Sequence, residues 1–411
     1  MLRDRTLAHR KNTVLIRLVD RQGKPAAGRR IRVEQTRHSF LFGCGAFDAV
    51  PVANPGTADG NTRAFLQERM EKWRKLFNYG TLPFYWGRFE PEKGRPRTEE
   101  LRNAARWLRD RNVTVKGHPL CWHTGTAPWL LELSDEEILE AQLERIEREV
   151  TAFRGLVDLW DVVNEVVIMP VFDKYDNGII RICKRLGRVE LVKSMFGRAR
   201  ECNPRATLLL NDFNVSTNYE ILIEGCLAAG VKIDAIGIQS HQHQGFWGTE
   251  KLREVLERFE HFGLPIHFTE NTFVSGALMP PEIADLNDFQ VSDWPSTPEG
   301  EERQRRDVAE LYTTLFEHPL VEAITTWDFH DGAWLGAPGG LVRKDNSEKP
   351  AYEWLDQKIN RDWRTETEAV TDSDGNVQLT GFLGGYRILA GEETGELWLG
   401  RDTRRAEVAV S

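Results

Sequence analysis

Two glutamates carry the chemistry this sequence is best equipped to do. Glu165 ends the run WDVVNE, and Glu270 ends HFTE, 105 positions later. A carboxylate at the end of an apolar run is costly to desolvate, so a chain that places two of them there has a use for them. A pair of carboxyl groups astride a glycosidic bond can act as acid and nucleophile, or as acid and base. A separation of ~5–5.5 Å gives retention and ~6.5–9.5 Å gives inversion. Other polar residues close similar runs: His118 and Trp122-His123 in VTVKGHPLCWH, Asn164 beside Glu165, Asn211-Asp212 in TLLLNDFN, Gln239 and His241 in AIGIQSH, and Trp327-Asp328 in AITTWDF. Taken singly, each reads as a satisfied polar group at a loop edge. Six strands ending this way point to one shared site.

Those residues need elements to hold them. Candidate strands cover 40–47, 76–86, 113–122, 157–165, 207–214, 235–241, 264–270 and 323–329. Most are apolar on both faces, as parallel strands covered by helices are. Helical patterns lie between them. In SDEEILEAQLERIEREVTAF, Ser134 and Glu137 form a capping box, and Leu139, Leu143, Ile146, Val150 and Phe153 predict the buried face. Eight strands alternating with helices predict a (β/α)8 TIM barrel, in which the strand ends line the active site. A long Pro-rich loop, MPPEIADLNDFQVSDWPSTPEG, comes after the seventh strand, and loops of that length are usually functional or mobile.

Both ends of the chain are strand-like. TVLIRLVD and RRIRVEQ, with Gly23 and Pro25 between them, predict a hairpin, and Asp374-Gly375 marks a turn between later strands. Neither end has enough strands for a stable sheet. The two are therefore expected to form one small β-sandwich-like domain from segments 1–38 and 361–411, around a catalytic barrel at 39–360.

Composition excludes some classes. Of 411 residues, 54 are Lys or Arg and 63 are Asp or Glu, a net charge of −9, which argues against a nucleic-acid surface or an anionic membrane as partner. No apolar run approaches the ~18 residues of a membrane span. The opening MLRDRTLAHRKN lacks the apolar segment of a signal peptide, so a cytoplasmic location is expected, or a secreted one if the sequence was trimmed. Five cysteines with no CxxC read as free thiols. Several of the thirteen tryptophans sit beside polar residues at segment ends, where their faces can stack on sugar rings.

In this order, WDVVNE, GHPLCWH, IGIQSH, HFTE and ITTWDFHDGAW resemble glycoside hydrolase family 10, the retaining β-xylanases of the 4/7 clan of barrels. The resemblance spans roughly residues 40 to 358. It implies double displacement at β-1,4-xylosidic bonds of xylan or xylo-oligosaccharides, with no cofactor and no metal. It implies Glu165 as acid/base, Glu270 as nucleophile, and Asn164 as partner of the sugar 2-hydroxyl. His241 would orient Glu270, Gln239 would support Glu165, His118 would reach the sugar's 3-hydroxyl side, and Trp122, Trp327 and Trp334 would wall the site. The chain departs from the family after the second strand. TLPFYWGRFEP replaces a Glu-Asn pair and a Lys, so Tyr85, Trp86 and Arg88 are expected at the glycone side. Arg88 can read an acidic decoration or pair with Glu90 or Glu92. Thr272 stands where the family usually has an Asp behind the histidine, and Phe213 where a Tyr is common. Altered specificity for a decorated oligosaccharide or plant glycoside, or a non-catalytic carbohydrate-binding barrel, are the alternatives. A metal-dependent barrel hydrolase would place an HxH pair on the first strand, and FLFGCGAF has none.

Overall fold

The computed structural model describes residues 7–56 and 59–411. The first six residues, part of segment 1–38 and of the opening stretch scanned for a leader, lie outside that range. Eight parallel strands close a barrel: β3 (Leu41–Gly45), β4 (Tyr79–Pro83), β5 (Thr114–His118), β6 (Leu159–Asn164), β7 (Thr207–Asp212), β8 (Ala235–Gln242), β9 (Ile266–Phe273) and β10 (Val321–Thr326), with β10 pairing back to β3. Helices alternate with the strands and cover the barrel, so β6 and β9 are buried along their whole length. This is the expected (β/α)8 barrel, and its eight strands fall within or close to the segments read from sequence. Among the described residues no helix is long and apolar enough to cross a membrane.

Two irregularities in the barrel shape the site at its mouth. Between the β8–β9 pairs Ile238–Phe268 and Gln239–Glu270, β9 carries one extra residue, Thr269. Between the β6–β7 pairs Asp161–Leu209 and Val163–Leu210, β6 carries one extra residue, Val162. In a regular strand successive side chains point to opposite faces. A bulge breaks that alternation and re-aims the side chains beyond it. Here it lets Asp161 and Asn164, three apart, both meet polar partners inside the barrel, and it lets the consecutive Thr269 and Glu270 both reach Asn211.

The remaining strands are β1 (Lys11–Val19), β2 (Arg30–His38), β11 (Glu366–Val370), β12 (Asn376–Phe382), β13 (Gly384–Ala390), β14 (Glu393–Leu399) and β15 (Arg405–Ala409). They form two sheets, ordered β12-β1-β15 and β11-β2-β13-β14. Val14, Ile16, Ile31, Val33, Tyr386, Ile388 and Leu397 belong to the core these strands share. The expected hairpin is corrected here: apart from one bridge, Val19 to Pro25, β1 and β2 do not pair but enter different sheets. Both carry alternating apolar residues, and burying those stripes in a common core removes more apolar surface than pairing the two strands edge to edge. The Asp374-Gly375 turn likewise connects the two sheets, from β11 to β12.

A second correction concerns the helix Asp135–Ala152. Its capping box at Ser134 and Glu137 is present. Its buried face, however, is Ile138, Gln142, Arg145, Ile146, Glu149 and Val150, while Leu139 and Leu143 are only partly covered. Arg145 donates to the backbone carbonyls of Leu120 and Phe84 and lies 4.9 Å over the Trp86 ring. A hydrophobic stripe cannot saturate carbonyls where loops leave the barrel, and a guanidinium with five donors can.

Another buried arginine joins the chain's early segment to the barrel. Arg10 Nε donates to the Phe316 carbonyl at 2.9 Å, and its Nη2 donates to the carbonyls of His318 and Val321, both at 2.7 Å. Its guanidinium also stacks over Phe40 at 4.6 Å. Arg10→Met removes three hydrogen bonds to barrel carbonyls and is expected to cost about 2–4 kcal/mol, lowering the calorimetric midpoint by roughly 3–8 °C. The control, Arg17→Met on the exposed side of β1, is expected to leave it within about a degree.

Candidate active site

The polar ends of β5 to β10 converge at the mouth of the barrel. Glu165 comes directly after β6 with a backbone φ of +57°, left-handed and unfavourable for any residue but glycine, or less severely Asn and Asp. Its N–H donates to the Asn211 carbonyl at 2.8 Å, which holds the turn in place. Glu165 Oε2 accepts from Trp122 Nε1 at 2.8 Å, and Oε1 accepts from Gln239 Nε2 at 3.0 Å. Burial, then the nearby negative charge of Glu270, pushes the Glu165 carboxyl up to about 8.

Glu270 lies inside β9 rather than at its end, and is 4% exposed. Its Oε1 accepts from Asn211 Nδ2 at 3.0 Å, and its Oε2 faces His241 Nε2 at 3.1 Å. Burial pushes this carboxyl up, but His118, His241 and Lys116 outweigh it, so Glu270 is held below the ordinary carboxylate range. His118 approaches Glu270 at 3.9 Å from Nδ1. That same nitrogen lies 2.7 Å from Asp161, which also pairs with Lys116 at 2.7 Å, all three buried. Two carboxyl groups in one buried site thus have environments that push their proton affinities apart, one neutral and one ionised near pH 7.

The Asn164 side-chain oxygen accepts from Asn211 Nδ2 at 2.7 Å and Gln239 Nε2 at 3.2 Å, while its amide nitrogen donates to Glu165 at 3.3 Å. Trp327 lies 5.2 Å from the His118 ring, Trp334 4.6 Å from His241, and Tyr85 5.8 Å from Trp122 and 5.7 Å from His118. Tyr85 is therefore in the site, and burial, then the Glu270 charge, raises its phenol. Trp86 is not. It turns inward from the short helix Trp86–Phe89, donates to Glu90 at 3.0 Å and packs on Trp129. β4 ends at Pro83 and the short helix starts at Trp86, so the two neighbouring side chains part: Tyr85 faces the mouth and Trp86 the layer below it. Arg88 is exposed next to this turn, and among the described residues it pairs with neither expected glutamate: Glu90 is held by Arg148 at 2.6 Å and Glu92 by Arg95 at 2.8 Å.

Sequence reasoning placed Asn211 among the converging strand ends but gave it no role, and here it links Asn164 to Glu270; the Lys116–Asp161 pair was missed. So was Phe47, whose ring lies 5.5 Å from Trp327 and 6.3 Å from Tyr85. Asp161 was legible in principle, as a charged residue inside WDVVNE needs a partner in so apolar a strand. Phe47 carried no signal beyond its place at the end of a strand.

Thr272 has a specific consequence. Its Oγ1 lies 3.1 Å from His241 Nδ1, opposite the Nε2 that faces Glu270. Glu270, as a carboxylate, can only accept, so Nε2 must carry a hydrogen. A hydroxyl can donate to Nδ1 or accept from it, so it leaves both states of the ring open. A carboxylate at 272 would accept on that side too and require an imidazolium.

An eight-stranded parallel barrel with two glutamates at β6 and β9, set to opposite protonation states and walled by tryptophans, defines a carboxylate-pair glycosidase site. Residues 81–358 match the profile of Glycosyl hydrolase family 10, and the chain belongs to that family. Among curated relatives, it is 29% identical over 322 residues to Endo-1,4-beta-xylanase B of Thermotoga neapolitana, covering 71% of this chain and 85% of that protein. It is 26% identical over 387 residues to Anti-sigma-I factor RsgI6 of Acetivibrio thermocellus, covering 92% of this chain but 45% of that protein. It likewise spans only 32% of Endo-1,4-beta-xylanase 2 of Arabidopsis thaliana. Xylanase 10B of Thermotoga petrophila, solved with xylobiose, shares the fold with a TM-score of 0.61 and 23% identity, over 78% of this chain and 95% of that one.

On an unactivated glycoside, kcat/KM is expected to fall above about pH 8 as Glu165 loses its proton, and the residual activity of Glu165→Gln is expected to lack that limb of the pH–rate profile. Thr272→Asp, by accepting from His241 Nδ1, favours the doubly protonated ring beside Glu270, which lowers the nucleophile's proton affinity and moves the acid limb to lower pH, while Thr272→Ser leaves it in place.

Proposed function

We propose that the protein is a retaining β-glycoside hydrolase that cleaves β-1,4-xylosidic bonds of xylan or xylo-oligosaccharides by double displacement. The observation that carries the hydrolase reading is the opposed protonation of Glu165 and Glu270 in one site, and membership of the family supports the retaining course. The substrate class is supported by the curated relatives named as xylanases.

In the first step a Glu270 oxygen attacks the anomeric carbon. The bond from that carbon to the leaving oxygen breaks, and the leaving oxygen takes the Glu165 proton. Asn211 and His241 hold the attacking carboxylate through one hydrogen bond to each oxygen. Asn164, fixed by Asn211 and Gln239, keeps one amide hydrogen free for the sugar, where a hydrogen bond to the 2-hydroxyl strengthens in the transition state. Once Glu270 is esterified its negative charge is gone. That charge is one cause of the high Glu165 value, so the proton affinity of Glu165 falls and it stays ionised, ready to act as a base. Water then cleaves the glycosyl-enzyme, giving its proton to Glu165. A binding protein that merely holds sugar has no need of two buried carboxyls split in this way, which favours catalysis over binding alone.

The test is kinetic. Glu270→Ala is expected to lose essentially all turnover of aryl β-xylosides and xylo-oligosaccharides. Glu165→Ala is expected to lose about 10²–10⁴-fold on unactivated substrates and to recover with azide on substrates with good leaving groups, giving a β-glycosyl azide. An α-azide product would show inversion and overturn the double displacement.

A further inference from the structure

The long segment after β9, residues 274–297, is an ordered arm rather than a loose loop. Val274, Met279 and Trp294 form a small apolar core with Ala337, and Ile283, Leu286, Phe289 and Leu335 pack on it. This core ties the arm to the loop after β10. A second attachment is to the loop after β8: Gln244 Nε2 donates to the carbonyls of Pro280 at 2.9 Å and Ile283 at 2.8 Å, and Met279 N donates to the His243 carbonyl at 2.9 Å. The third attachment is ionic. Lys174, in the loop after β6, places its ammonium 2.6 Å from Asp285 and 2.7 Å from Asp288, both in the arm.

The barrel order gives these contacts their meaning. β6 and β9 are separated by β7 and β8, the strands that carry Asn211, Gln239 and His241. A link from the β6 loop to the β9 arm therefore spans the ends of β7 and β8. The loop after β7 is too short to fill that space, running only from Phe213 to Ser216 before the helix Thr217–Ala228. Tyr175, next to Lys174, lies 5.1 Å from the Phe172 ring, which lies 4.6 Å from the ring of His123, the neighbour of the Trp122 that donates to Glu165. The span thus lies beside the proton donor, on the side away from Tyr85, Phe47 and Trp327. Tyr85 is the glycone-side residue that the family resemblance implies, and on that assignment the spanned side receives the leaving group.

We propose that the arm 274–297, latched by Lys174 to Asp285 and Asp288, bounds the leaving-group side of the cleft and makes the enzyme prefer oligosaccharides and chain ends over internal bonds of a polymer. This rests on the glycosidase reading above. An open cleft lets a polymer lie across it on both sides of the cut. A cleft bridged on one side requires the chain to end there, or the latch to open. The latch is two surface ion pairs sharing one ammonium, with side chains 30–61% exposed, so it is weak and screened by salt. The apolar core holds the arm's other end when the latch opens.

The experiment compares wild type, Lys174→Ala and Asp285→Asn/Asp288→Asn on two substrates: soluble β-1,4-xylan and an aryl β-xylobioside, whose leaving group is smaller than one added sugar pair. Aryl-glycoside kcat/KM is expected to stay within about twofold in both variants, and xylan kcat/KM to rise about fivefold or more, chiefly through KM. The viscosity drop per bond cleaved is expected to rise with it, as internal bonds become accessible, and 0.5 M NaCl is expected to move the wild type, but not Lys174→Ala, the same way. An unchanged xylan-to-aryl ratio in both variants, with aryl turnover intact, overturns the latch and leaves the glycosidase reading standing. Absence of turnover on the aryl glycoside by the wild type overturns that reading, and the latch's role with it.

Discussion

Two carboxyl groups sharing one buried site repel each other when both are charged, and water is not there to screen them. The site around Glu165 and Glu270 is organised by that repulsion. On the Glu270 side stand Asn211, His241, His118 and, behind them, Lys116. On the Glu165 side stand neutral donors, Trp122 and Gln239, which bond a carboxyl group without adding positive charge. Asp161 then solves a secondary problem. Lys116 would otherwise be a positive group in an apolar barrel, and the Asp161 carboxylate, buried completely and shared with His118 Nδ1, balances it.

Geometry obeys the same demand. Regular strands send every second side chain inward, a spacing too coarse to place four polar groups around two carboxyls. The extra residues in β6 and β9 shift that register where Asn164 and Glu270 must point. The positive φ of Glu165 does the same for the proton donor after its strand has ended. Regular barrel geometry sets the mouth's position, and local irregularities set the direction of individual groups.

The sequence displays these layers unequally. The barrel was legible because apolar runs and helical periods repeat eight times, and Glu165, Glu270, His241 and Gln239 because polar residues at the ends of such runs are rare. The strand-2 turn was only half legible: Tyr85 is at the site while Trp86, the first residue of a short helix, supports the layer below. The helix Asp135–Ala152 misled because its leucines keep helical spacing, yet the surface it covers is made of backbone carbonyls that need Arg145. The β1–β2 turn misled because a turn fixes where the chain reverses, not whether the flanking strands become neighbours. Asn211 stood in plain view at a strand end, but its use depends on a bulge in β9, and bulges leave little trace in composition.

The accessory sheets have a consequence for synthesis on the ribosome. β1 is central in one sheet and β2 is flanked on both sides in the other, yet their partners, β11 to β15, emerge only after the whole barrel. Two strands with apolar stripes must therefore wait, unpaired, while some three hundred residues are made. Unpaired strands of this kind are templates for aggregation. β2 carries Arg30, Arg32, Glu34 and Arg37 among its apolar residues, and β1 carries Lys11 and Arg17. In the finished molecule most of these charges sit on the outer faces and contribute little. Charges on unpaired strands disfavour pairing with other chains, so during translation these residues oppose association before the strands' own partners arrive.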